Sequence, residues 1–188
     1  MIHFCKLLQW FCVGLFIIPL VASAASKQYV NPETAITWGD SGTTENLDMA
    51  SLGNGVGRLG SYNDRGAGVH AVDYVWRCTV QANAAVVAGT TVEVYLATAD
   101  VTTAFDGEVA ITDTADAALT TEKRRNLKLI GLVIVDQTAA NVDMTASGLV
   151  HARSRYLALG VWNAMGQAMH ATANTGQCSL TPMPLEQQ

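Results

Sequence analysis

The sequence predicts an all-β chain: an antiparallel β-sandwich, jelly-roll-like, preceded by an N-terminal signal-like apolar segment. Three observations carry that prediction. Apolar and polar residues alternate along several runs, clusters of Gly, Asn, Asp and Thr separate those runs, and only Thr114 to Arg125 has a helical pattern, two or three turns long. About seven short strands joined by such loops are the pattern of a sandwich or jelly roll.

Residues 1–25, MIHFCKLLQWFCVGLFIIPLVASAA, form a segment apart. A single cation, Lys6, precedes an apolar stretch from Leu7 to Leu20, and Ala22 and Ala24 offer a small-residue cleavage pattern before Ala25. Export with cleavage is one reading. An uncleaved anchor is another, since Leu7 to Ser26 is uncharged and a spanning helix needs about 20 residues. A start codon downstream of the segment is the third. Without Lys6 the remainder carries 10 basic and 16 acidic side chains, a net charge near −6. Residues 26–188 are enough for one sandwich domain, because a chain of roughly 160 residues buries nearly 70% of its unfolded surface.

Within that domain, Ala35 to Trp38 is the first short strand. From Val72 to Val80, the residues Val72, Tyr74, Trp76, Cys78 and Val80 alternate with Asp73, Arg77 and Thr79, as in a half-buried strand. Val92, Val94 and Leu96 repeat the pattern in TVEVYLATAD, and the turn AVVAGTT with Gly89 suggests an antiparallel hairpin between the two runs. Asn126 to Asp136 (NLKLIGLVIVD) is apolar on both faces, which fits a central strand or one buried at a subunit contact. Gly148 to Ala152, Ser154 to Trp162 and Gln177 to Met183 complete the set. In the last of these Cys178 and Leu180 share a face, and Pro182 closes the strand.

Composition narrows the function classes. The whole chain has 11 Lys+Arg against 16 Asp+Glu and a net charge of −5, which speaks against a phosphate-backbone binder, so no nucleic-acid partner is expected. Cysteines lack the C-x2-C spacing of a structural zinc site, and His70, His151 and His170 are too far apart to form a local metal motif. No metal, cofactor or catalytic residue is therefore assigned. Asp113 with Asp116, and Asp106 with Glu108, read as turn residues, and no nucleophile elbow is present. Lys123, Arg124, Arg125 and Lys128 read as a solvated edge.

Gly55, Gly57 and Gly60 spell G-x-G-x-x-G, but the strand and helix that a dinucleotide site requires do not flank them. They belong instead to a Gly-rich loop from Leu52 to Gly68. Long loops often carry binding, so Leu52, Asn54, Arg58, Tyr62, Asp64 and Arg65 are candidate partner contacts. Leu132 and Ile134, on the two-sided apolar run, are two more. Cys78 and Cys178 each lie on the apolar face of a strand. They could form a disulfide in an oxidising compartment or remain two buried thiols.

The run ITWGDSGTTENLDMASLGNGVGRLGSYNDRGAG resembles a family of tailed-bacteriophage virion proteins, described as structural or head-decoration proteins. The resemblance continues through YVWRCTVQANAAVVAGTTVEVYLATAD, LKLIGLVIVD and CSLTPM, and so spans roughly Ala35 to Pro184. It implies a β-sandwich displayed on a virus particle, with capsid or tail proteins as partners. The expectation is a non-enzymatic bacteriophage virion structural protein, a capsid decoration or related surface component. It would assemble through protein–protein contacts as a homo-oligomer, most simply a trimer. The alternative is an exported bacterial β-sandwich, periplasmic or extracellular, that binds carbohydrate or a cell-surface ligand through Trp38, Tyr62, Tyr156 and Trp162. A membrane would be met only through an uncleaved N-terminal segment.

Overall fold

A computed structural model describes residues 33–40, 43–106, 111–173 and 175–183. The signal-like segment lies outside them. The described residues form eleven strands and one helical turn: β1 (Ile36–Gly39), β2 (Glu45–Asn46), β3 (Gly57–Leu59), β4 (Asn63–Asp64), β5 (Asp73–Val80), β6 (Thr91–Ala99), β7 (Ala117–Leu119), α1 (Thr121–Arg124), β8 (Lys128–Ile134), β9 (Met144–His151), β10 (Tyr156–Ala164) and β11 (Gln177–Met183). Two sheets result. The first has the order β2-β1-β11-β5-β9 and the second β7-β3-β10-β6-β8, with β4 also pairing β10. Every pairing is antiparallel except the short β1–β2 contact.

Alternation along the strands builds the core. Tyr74, Trp76, Cys78 and Val80 of β5 face inward from the first sheet together with Trp38, Cys178 and Leu180, while Val92, Val94, Leu96, Val133, Leu157, Leu159 and Val161 face them from the second. The predicted faces of β5 and β6 are therefore as observed, but the predicted hairpin between them is not. Strand β5 belongs to one sheet and β6 to the other, and the ten residues between them cross over the sandwich. Periodicity gives the face of a strand and says nothing of its neighbour.

A second apolar cluster lies on the outer side of the second sheet. Leu59, Tyr95, Ala97, Ala158, Tyr156 and Trp162 point outward there and are covered by Phe105, Ile111, Leu119 and Leu127 from the segment between β6 and β8. This cover makes β10 the two-sided central strand: residues 156–163 are all buried. Asn126 to Asp136 was expected either in that role or at a subunit contact; the central placement does not hold, because β8 is the edge of its sheet and Leu129, Leu132 and Ile134 are 51%, 42% and 59% exposed. The helical expectation for Thr114 to Arg125 also fails in part. Residues 117–119 pair with β3, and only one turn of helix follows, capped by the Thr120 hydroxyl accepting from Lys123 N.

Pro182 lies inside β11 rather than closing it. It is tolerated because β1 spans only the residues opposite Cys178 to Leu180, so beyond them one side of β11 needs no ladder donor. Trp76, on the inner face of β5, reaches toward the β8–β9 seam. Gly131 and Gly148 line its ring, and a Cβ at either position would collide with it.

Candidate interaction surface

The Gly-rich stretch is not a structureless loop. It contains β3 and β4, both paired to β10, and several of its side chains are engaged within the fold, while Asn54, Val56 and Asp64 remain exposed. Leu52 is 3% exposed, and its carbonyl accepts from Met169 N and from Asn163 Nδ2. Asn54 Oδ1 accepts from Gly166 N at 2.9 Å, and Arg58 pairs with Asp116 at 3.3 Å. Tyr62 stacks on Phe105 with ring centroids 5.5 Å apart and meets Tyr156 edge-on at 5.3 Å. Leu52 and Arg65, expected as partner contacts, are thus removed from that role by burial, and Tyr62 is half-buried in an aromatic cluster.

Arg65 shows why the stretch is ordered. Its side chain is 1% exposed, and the guanidinium donates to the carbonyls of Ala71, Arg153 and Ser154 and to the Tyr74 hydroxyl. One planar fork therefore joins the end of β4, the start of β5 and the β9–β10 turn. Glu33 closes the group by accepting from Tyr74 and meeting His70, and burial, reinforced by the Glu33 bond, pushes the Tyr74 hydroxyl up to about 12. Nearby, Arg155 holds Asp64 by two hydrogen bonds of 2.6 and 2.7 Å, which lowers the carboxyl below its ordinary range and raises the guanidinium above its own. Glu33, Ile36, Asn63, Asp64 and Arg65 border a recess of about 300 Å³.

His70, His151 and His170 do not converge. His70 bonds Glu33 and the Gly66 carbonyl, His151 lies 2.9 Å from Asp73 and accepts from Arg153, and His170 accepts from Thr172 N. Among the described residues no three His, Cys, Asp or Glu side chains are grouped to hold a metal ion. The proposed sugar platform is not at the surface either: Trp38 is fully buried, Tyr156 and Trp162 are 8% and 7% exposed, and Tyr62 sits in the aromatic cluster.

Cys78 and Cys178 are directly opposite one another on β5 and β11, with Cα atoms 4.0 Å apart, and they form a disulfide inside the core. Both strands place the cysteine on an inward position, so register alone brings the sulfurs together.

The remaining pair of predicted contacts has a different environment. Leu132 lies opposite Glu93 and Ile134 opposite Thr91, on the outer face of the second sheet, and both are exposed. Beside them Glu93 accepts from Arg124 at 2.7 Å and from the Tyr95 hydroxyl, and Arg124 stands 4.1 Å over the Trp162 ring. Burial and the Glu93 carboxylate push Tyr95 up to about 12. Reading the sequence missed this cluster because its members come from β6, α1 and β10 and nothing local links them. The surface available to a partner is thus an apolar row on an edge strand, bordered by a fixed acid–base pair. Comparison with protein families, with curated proteins and with solved structures finds none that this chain matches.

Proposed function

We propose that this chain is a non-enzymatic structural component of a bacteriophage virion, a capsid decoration or related surface protein that works through protein–protein contacts. The observation that carries the assembly reading is the uncovered apolar row Leu129, Leu132 and Ile134 on an edge strand, a position where folded proteins ordinarily place charge or proline. The virion half of the reading rests on the resemblance across Ala35 to Pro184.

Strand order adds to it. With the short strands β2, β4 and β7 set aside, the pairs β1–β11, β3–β10, β5–β9 and β6–β8 nest inside one another, first with last. A long antiparallel hairpin rolled up in this manner is a jelly roll, an architecture used by viral capsid proteins and by lectins. The test is the composition of density-banded particles by mass spectrometry. The expected result is this chain at a fixed ratio to the major capsid protein. Recovery only from an exported fraction, with Ala25 at the N-terminus, would overturn the proposal.

One observation favours the alternative of an exported ligand-binding sandwich. A disulfide buried at Cys78 and Cys178 suits an oxidising compartment, and a signal-like segment precedes the domain. With the four aromatics internal, a ligand for that alternative would need another surface.

A further inference from the structure

We propose that Glu33 and His70 form a proton-dependent latch: a doubly protonated imidazole fastens the stretch leading into β1 onto the turn between β4 and β5, and a neutral one releases it. The latch is independent of the virion reading.

Donors and acceptors set the protonation state. His70 Nε2 lies 3.0 Å from the Gly66 carbonyl, which can only accept, so Nε2 carries a proton. Nδ1 meets Glu33 Oε1. The Tyr74 hydroxyl accepts from Arg65 and donates to the other Glu33 oxygen, and Arg65 Nη1 stands 3.8 Å from Oε1. With a donor on one oxygen and a guanidinium beside the other, Glu33 is placed as a carboxylate, and Nδ1 must donate to it. The ring that satisfies both contacts is therefore the imidazolium. A neutral ring has one proton for two acceptors, which leaves a lone pair against either the carboxylate or the carbonyl.

Position makes the contact a latch. Strand β1 begins at Ile36, so residues 33–35 precede the ladder with β11, and Glu33 holds them to the body by its side chain. On the other side Gly66 and Gly68 turn the chain at φ 82° and 137°. Asp64 Oδ1 accepts from Gly66 N at the start of that turn, and His70 closes it through the Gly66 carbonyl. The side chains of His70 and Glu33 are 12% and 13% exposed, which shields the pair from the screening that weakens surface contacts.

Four elements bring charged or titratable groups to the ring: Glu33 before β1, Arg65 after β4, Tyr74 on β5, and Asp64 of β4 with its partner Arg155 of β10. Asp73, His151 and Arg153 bond one another by their side chains instead. The guanidinium groups stay charged, Arg155 holds Asp64 below its ordinary range, and Tyr74 is pushed up to about 12. Between pH 5 and 8 the imidazole is thus the member that changes. The latch adds stability where the ring is charged and loses it as pH rises.

Hydrogen exchange on the whole chain, with each rate divided by the intrinsic rate at the same pH, tests this. From pH 6 to 8.5, protection of residues 34–39 should fall at least about tenfold, the effect of losing one hydrogen bond to a charged group, while that of residues 156–163 stays level. His70→Gln and Glu33→Gln should each abolish the fall. Should the variants fail to fold, nitrogen-15 NMR of the wild type decides: both His70 ring nitrogens should be protonated at pH 6, and the amide signals of Thr34 and Ala35 should move with the ring as it titrates. Protection of residues 34–39 that is level with pH, a fall that survives in either variant, or a ring with one bare nitrogen at pH 6 would overturn the latch.

Discussion

The two sheets treat their outer faces in opposite ways. On the first, Thr37, Arg77, Thr79, Thr145, Ser147, Ser179 and Thr181 meet solvent, and Thr79 and Thr145 hydrogen-bond across strands at 2.8 Å. On the second, Tyr95, Ala97, Tyr156 and Trp162 point outward beneath a long connection that brings Phe105, Ile111, Leu119 and Leu127 over them. The difference is written in the strands: β9 and β11 alternate, whereas β10 is apolar at almost every position and β6 has apolar residues at the outward positions Tyr95, Ala97 and Ala99 as well as at its inward ones. A row of outward apolar residues goes with a cover there, whereas the isolated outward Leu149 of the first sheet is 72% exposed. On β8 the outward Leu129, Leu132 and Ile134 are exposed.

Removing the cross-link from the sheet that has no outer cover should have the largest effect. Cys78→Ala with Cys178→Ala opens a bridge spanning a sequence separation of 100, which in the chain-entropy treatment costs about 4.7 kcal/mol. Thermal denaturation with and without reductant should show a matching fall for the wild type and none for the variant. On the covered side, Trp162→Ala should cost about 3–5 kcal/mol, read as a lower urea midpoint, because it removes a ring that is 7% exposed and takes away the seat of Arg124.

Alkaline titration sharpens the comparison further. Tyr95 in the outer cluster and Tyr74 in the inner core are both pushed up to about 12, while the unfolded chain ionises near 10. The unfolded state then binds fewer protons between those values, so the stabilisation is complete below pH 10 and is lost as pH rises toward 12, on the order of 2 kcal/mol per group. Tyr95→Phe and Tyr74→Phe should each flatten that loss. The smallest effect is expected on the polar face, where Thr79→Ala should stay within about 0.5 kcal/mol in the same urea measurement. A cost near that of Trp162→Ala would erase the contrast between the faces.

Side-chain alternation made β5, β6, β10 and β11 legible, since a period of two fixes which residues face inward, and with them Cys78 and Cys178. Partners were not legible: the turn after β5 looks like a hairpin turn although it changes sheets. Ala117 to Leu119 has good helix formers and nonetheless pairs with β3, where tertiary context overrides propensity. The polarity of β8 was read correctly, and of the two places offered for it the central one does not hold. An apolar face looks the same in sequence whether its cover comes from the same chain or from another, and the cover over β10 is supplied by residues that precede it by 29 positions or more. Arg65 was taken for a surface contact because its acceptors are backbone carbonyls, which leave no trace in sequence.

The nesting of strand pairs also imposes an order in time. Strands β6 and β8 are the nearest in sequence of the four nested pairs, and each pair outside them must close a longer loop, until Ile36 meets Leu180. By loop length alone the ladder between β1 and β11 is expected to form last, and it cannot form before residues 177–183 have been synthesised. Until then the centre of the first sheet has a vacant lane and Cys78 has no sulfur opposite it. Closure by β11 fills the lane and delivers Cys178 in one event, so oxidation of the pair reports that β11 has paired with β5.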